Sequence, residues 1–88
     1  MRIEVIETTP RFDKHYKKLS KRIKELAKEK EVIFRENPFD PRLNTHKLHG
    51  KEKDILAFSI IQAYRIKFIF LNGSRVLFLD VGTHEVYK

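Results

Sequence analysis

The strongest constraint on the fold lies in the second half of the sequence. Three runs of apolar and β-compatible residues, 55–61, 64–71 and 75–81, follow one another across gaps of two and three residues. Gln62-Ala63 reads as a tight turn. Asn72-Gly73-Ser74 reads as a hairpin, because Asn-Gly readily takes the positive φ values of a type I′ turn. Strands joined this closely pair antiparallel. In the middle run Tyr64, Ile66, Phe68 and Phe70 share one face, and Arg65, Lys67, Ile69 and Leu71 the other. In the last run Leu77, Leu79 and Val81 oppose Val76, Phe78 and Asp80.

The first half carries a helical period instead. Residues 2–8 alternate as a half-buried strand, with Ile3 and Val5 on one face and Arg2, Glu4 and Ile6 on the other. Thr9 then suits an N-cap and Pro10 a first helical position, where a missing amide hydrogen costs nothing. Phe12, Tyr16 and Leu19 form the inner stripe of a short helix. At Ser20 the phase restarts, and Ile23, Leu26, Ala27, Ile33 and Phe34 mark a longer one, with Lys30 at the stripe's edge, its stem buried and its amine in water. Asn37-Pro38 closes it, since a residue preceding proline is pushed out of helical space. No period holds from Pro38 to Lys53, a loop long enough to suggest function. The order β-α-α-β-β-β predicts an α+β domain over residues 1–88: a small, mostly antiparallel sheet with both helices on one face.

A chain of 88 residues has little core to spare, so any site is expected on a sheet surface or in a shallow groove. There is no cysteine, hence no disulfide or thiolate metal site. No apolar run approaches the roughly 18–20 residues that span a bilayer, and Met1 to Glu4 reads as strand rather than signal peptide, which points to the cytoplasm. A net charge of +7 favours a polyanionic partner. Arg42, Lys47, Lys51 and Lys53 crowd the central loop against Glu52, with His46 and His49 among them. Residues 11–30 hold nine Lys or Arg against Asp13, Glu25 and Glu29, either a surface for nucleic-acid backbone or the solvated outside of two amphipathic helices.

A sheet face left uncovered by helices would be bordered by the central loop, lined by Arg65 and Lys67 and closed by the tail after the last strand. Lys51, Lys53, Arg65, His84 and Tyr87 converge there in this strand order. The chemistry that fits is phosphoryl transfer within RNA, in which a ribose 2′-hydroxyl attacks its own 3′-phosphate and expels the 5′-oxygen. Such a reaction asks for a proton acceptor, a proton donor and fixed positive charge. Histidine titrates near neutrality, tyrosine can act if neighbouring cations lower its pKa, and arginine's planar fork fits phosphate oxygens. Each residue also has a plainer reading. Arg65 would pair with Asp80 or another carboxylate, Tyr87 would pack over the sheet edge, and His15 would be an ordinary surface histidine. His46 reads as a loop residue. A zinc site from His46, His49 and His84 is disfavoured, because no ligand cluster is spaced for it and Lys47, Lys51 and Lys53 repel a cation. No metal and no small-molecule cofactor is expected.

Four segments occur in a telling order: Lys47-Leu48-His49-Gly50, Ala57-Phe58-Ser59-Ile60, Tyr64-Arg65-Ile66-Lys67-Phe68, and Leu79-Asp80-Val81-Gly82-Thr83-His84-Glu85-Val86-Tyr87. With the helical part ending in Asn37-Pro38-Phe39, nearly the whole chain resembles the RelE/ParE superfamily of type II toxin-antitoxin toxins. The resemblance implies a metal-independent endoribonuclease that cuts mRNA in the ribosomal A site, restrained by a cognate antitoxin. It carries over Lys51 and Lys53, after the Lys-Leu-x-Gly motif, and Arg65 of the Tyr-Arg pair. It also carries over His84 and Tyr87 as the terminal basic-aromatic pair, and His49 as the loop histidine of the YafQ-like branch. Arg65, His84, Tyr87, Lys53 and His49 are thus the catalytic candidates, and Lys47, Lys51, Lys53 and Lys67 the RNA-binding ones. The sequence departs from the pattern at Gln62 and Ala63, near which YafQ-like members have a histidine and an aspartate, and at Glu85, where related toxins carry arginine. The ParE branch shares the fold but inhibits DNA gyrase, so that reading stays open, as does a non-catalytic RNA- or antitoxin-binding module.

Overall fold

The structure is a computed structural model that describes residues 1–48 and 54–83. Along the chain come β1 (Val5–Thr8), α1 (Pro10–Lys17), α2 (Lys21–Glu36), a 3₁₀ turn (Pro41–Leu43), β2 (His46–Lys47), β3 (Leu56–Ile61), β4 (Tyr64–Phe70) and β5 (Arg75–Gly82). They form one sheet in the order β1-β5-β4-β3-β2. β2 to β5 pair antiparallel in sequence order, and β1 lies parallel to β5. The expected α+β arrangement is therefore present, with a short edge strand at His46–Lys47 and a 3₁₀ turn inside the stretch expected to be loop. No helix among the described residues is long and apolar enough to cross a membrane.

The helix ends follow from capping chemistry. The Thr9 hydroxyl oxygen accepts the Phe12 amide at 3.0 Å and its hydrogen goes to the Leu79 carbonyl at 2.7 Å, which ties the start of α1 to β5. Ser20 caps α2 by accepting the Ile23 amide at 3.2 Å. Asn37, with φ −159° and ψ 105°, leaves helical space before Pro38. Phe34 is fully buried, and its ring lies 4.7 Å from Phe58, 4.9 Å from Phe68 and 5.5 Å from Phe78. Phe12, Ile23 and Ala27 extend the same helix surface onto Ile66, Val76 and Phe78. Both helices therefore cover the aromatic face of β4, as the alternation predicts.

Three local expectations fail, each for a backbone reason. Ile3 is buried and Val5 is 41% exposed, although simple alternation puts them on one face. The amides of Glu4 and Val5 both donate to the Ser74 carbonyl, so the strand gains a residue there and its phase moves by one. Val81 joins Val76 and Phe78 in the core instead of opposing them. The register against β4 slips between Lys67 and Phe68, leaving Leu79 without a partner and shifting the phase again. The turn at Asn72-Gly73 is not type I′, since Asn72 does not have positive φ. Its side-chain oxygen accepts the Ser74 amide at 2.9 Å, and Leu71 closes the wider loop onto the Arg75 carbonyl at 2.8 Å.

Candidate functional site

Sheet register decides which chemistry-bearing residues can share the helix-free face. Residues directly opposite one another point the same way, and Phe58, Ile66 and Phe68 point at the helices. The alternate residues Ala57, Ser59, Arg65 and Lys67 therefore point away. Ser59, Arg65 and Gly82 make one cross-strand row, and His46, Ala57 and Lys67 another, which runs on to Asp80, where the irregularity at Leu79 breaks the alternation and the side chain turns to α1. His46, read from sequence as a loop residue, thus sits in β2 in the same row as Lys67, about 10 Å away across two strand spacings. Lys47 lies opposite Leu56, in the alternate row, so register separates it from Arg65 and Lys67. Lys67 is buried at 9% exposure and Arg65 is half-buried.

The Arg65 side chain is anchored by its own hairpin. Gln62 takes a left-handed conformation, φ 51°, to turn between β3 and β4. Arg65 Nη1 donates to the Gln62 carbonyl, and to that of Tyr64 at 3.1 Å. No described residue engages the remaining donors, on Nε and Nη2. The pairing of Arg65 with Asp80 considered from sequence is not made: Asp80 is held by other groups.

The first part of the central loop is held by buried Leu43 and Leu48, and by the Thr45 hydroxyl donating to the Pro38 carbonyl at 2.6 Å. Within it Arg42 is already committed. Its Nε and Nη2 donate to Asp40 at 3.0 and 2.9 Å, and its amide to the same carboxylate at 2.9 Å. These bonds hold the Asp40 carboxyl down at about 2 and raise the Arg42 guanidinium.

A second feature has formed where α1 meets the end of β5. A cleft of about 320 Å³ is lined by Arg11, His15, Lys18, Tyr64, Asp80 and Thr83, among others. Its centre is the Asp80 carboxylate, whose side chain is 8% exposed. Asp80 Oδ1 accepts from His15 Nδ1 at 2.5 Å and from the Val81 amide at 2.8 Å, and Oδ2 accepts from Arg11 Nε at 3.0 Å. An ionised carboxylate can only accept, so Nδ1 of His15 carries the hydrogen that Asp80 receives.

No protein-family profile matches the sequence, and no curated protein does. Solved structures do match. A YoeB/ParE toxin from Agrobacterium tumefaciens superposes with a TM-score of 0.79 at 14% identity, over 92% of this chain and 99% of that one. A chain of the E. coli DinJ-YafQ toxin-antitoxin complex gives 0.75 at 20% identity, over 98% and 97%. The chain has the RelE/YafQ-like toxin fold. The YoeB dimer from Staphylococcus aureus agrees, at 0.76 and 15% identity over 96% and 99%. At such identities the likeness concerns the fold.

On this RelE/YafQ-like fold, the described residues settle the position of three site candidates, Lys47, Arg65 and Lys67. His49, Lys51, Lys53, His84 and Tyr87 lie outside the described residues, as do the substitutions noted at Glu85. Among the described residues no group of three or more His, Asp or Glu is placed to hold a metal ion. Sequence reasoning passed over His15, which is 35% exposed and paired rather than an ordinary surface histidine. One signal was available. Asp80 is the sole acid in the apolar run 75–81, and a carboxylate there needs a donor, while Arg11 and His15 stand i, i+4 on one helix face.

Proposed function

We propose that the chain is the toxin of a type II toxin-antitoxin pair, a single domain over residues 1–88. It acts in the cytoplasm as a metal-independent endoribonuclease that cuts mRNA on the ribosome and is restrained by a cognate antitoxin. The fold supports the toxin role, since structures that share it include toxins and chains of toxin-antitoxin complexes.

The observation that carries the nuclease reading is Arg65. Its fork is fixed to the β3–β4 turn through Nη1, and no described residue holds Nε or Nη2, the donors a phosphate would take. In the reaction the ribose O2′ attacks phosphorus, the P–O5′ bond breaks, and a 2′,3′-cyclic phosphate and a 5′-hydroxyl result. One group takes the 2′ proton and another gives one to O5′. His84, Tyr87 and His49 are the candidates for these steps, while Arg65, Lys51 and Lys53 stabilise the crowded phosphorane and Lys67 adds positive charge on the same face; Lys47, turned to the other face by register, drops out of this set.

Induced expression without an antitoxin, with mapping of RNA 5′ ends, tests this. Cleavage within translated messages is expected, and Arg65→Ala should lower its rate roughly 100-fold, as loss of a charged transition-state contact does. Growth arrest with intact messages and altered DNA supercoiling would replace this reading with gyrase inhibition.

A further inference from the structure

The α1–β5 cleft takes no part in the chemistry proposed above, yet it is built around fixed donors. A carboxylate more than nine-tenths buried holds one nitrogen of His15 and one of Arg11, and no described residue engages His15 Nε2 or the Arg11 Nη groups. Arg11, His15 and Lys18 stand at i, i+4 and i+7 on one face of α1 and its cap, so Lys18 lines the same cleft in which Arg11 and His15 hold the carboxylate. Tyr64 adds a flat aromatic wall.

Position supplies the connection. Gly82 lines the cleft and is also the cross-strand partner of Arg65. Arg65 projects from the helix-free face and the cleft opens on the α1 side, so a strand of RNA held at Arg65 rounds the end of β5 at Gly82, which carries no side chain, to reach the cleft. We propose that the cleft binds the nucleotide next to the scissile one, its phosphate held by Arg11 and Lys18 and its base stacked on Tyr64. Cations beside an aromatic ring suit a nucleotide of any sequence better than an acidic peptide, which has no use for the ring. This subsite rests on the ribonuclease reading.

The test titrates adenosine 5′-monophosphate into the full-length chain at low salt and follows it by NMR. Resonances of the His15 imidazole, the Tyr64 ring and the Thr83 amide should move and saturate, while adenosine, lacking the phosphate, moves them far less. Lys18→Glu, an exposed change expected to leave the melting temperature intact, should weaken binding roughly tenfold, the worth of one charge-assisted bond. In an RNA cleavage assay it should raise KM and spare kcat. Equal affinity in Lys18→Glu overturns the proposal, and so does an acidic hexapeptide that moves these resonances when the nucleotide does not. Nucleotide binding in the cleft of a chain that cuts no RNA would uphold the site and remove the ribonuclease reading. Cleavage with an unchanged KM in Lys18→Glu, and no shifts with nucleotide, would do the reverse.

Discussion

Replacing Asp80 by asparagine removes a charge without changing shape. The amide oxygen can keep the place of Oδ1 and still accept from His15 Nδ1 and the Val81 amide, but its NH₂ then faces Arg11 Nε, donor against donor. The Arg11 side chain is 74% exposed, so its share is screened and contributes about 0.5 kcal/mol. Losing the charge assistance to His15 at a carboxylate position that is 8% exposed, with a mispaired NH₂ beside it, costs about 1.5 kcal/mol more. The sum, about 2 kcal/mol, lowers the melting temperature by roughly 8–16 °C in a chain of this size. Thermal unfolding followed by circular dichroism reads it. Asp13→Asn is the control: Asp13 is exposed and accepts from the Thr8 hydroxyl at 2.8 Å, so it should shift stability by less than about 0.5 kcal/mol. A double-mutant cycle with His15→Ala should return a coupling of about 1 kcal/mol. If Asp80→Asn melts with the parent and the coupling is zero, the pair is a surface contact and the account of the cleft collapses.

Phe34→Ala strikes the centre of the core, where the ring stacks or abuts three others; a loss of about 3–5 kcal/mol is expected from urea unfolding, and a loss under about 1.5 would mean the site collapses around the vacancy. Asp40→Asn probes pH dependence. The carboxyl is depressed in the folded chain from 3.8 to about 2, so its contribution is present above 3.8 and is lost as pH falls through 2. The parent should melt above the variant at neutral pH, with the gap closing between those two values; a gap that persists unchanged at pH 2 would contradict the assignment.

Much of this fold is written in local chemistry. Thr9 and Ser20 reveal their helices because a hydroxyl at an N-cap satisfies an amide within three residues. Asn37-Pro38 ends α2 by a steric rule that needs no partner. The alternation of Tyr64, Ile66, Phe68 and Phe70 names the buried face of β4 because successive side chains of any strand point to opposite sides. What failed was phase wherever a strand gained a residue, at Glu4 and at Leu79, since a bulge is set by the partner strand and leaves no mark in the period. β2 escaped notice for a similar reason: two residues carry no period, and only their pairing with Leu56 and Ala57 makes them a strand.

The candidate site divides along the same line. Basic charge, the lysines of the loop and the Tyr64-Arg65 pair are legible in the sequence because composition and alternation depend on near neighbours alone. That His46 rather than Lys47 shares a row with Lys67, and that His15 meets Asp80 across 65 residues, are decisions of tertiary structure. The physical reason is range. Caps, turns and alternation act within a few residues, whereas register and burial are fixed only when β5 has docked between β1 and β4 and brought α1 over its end.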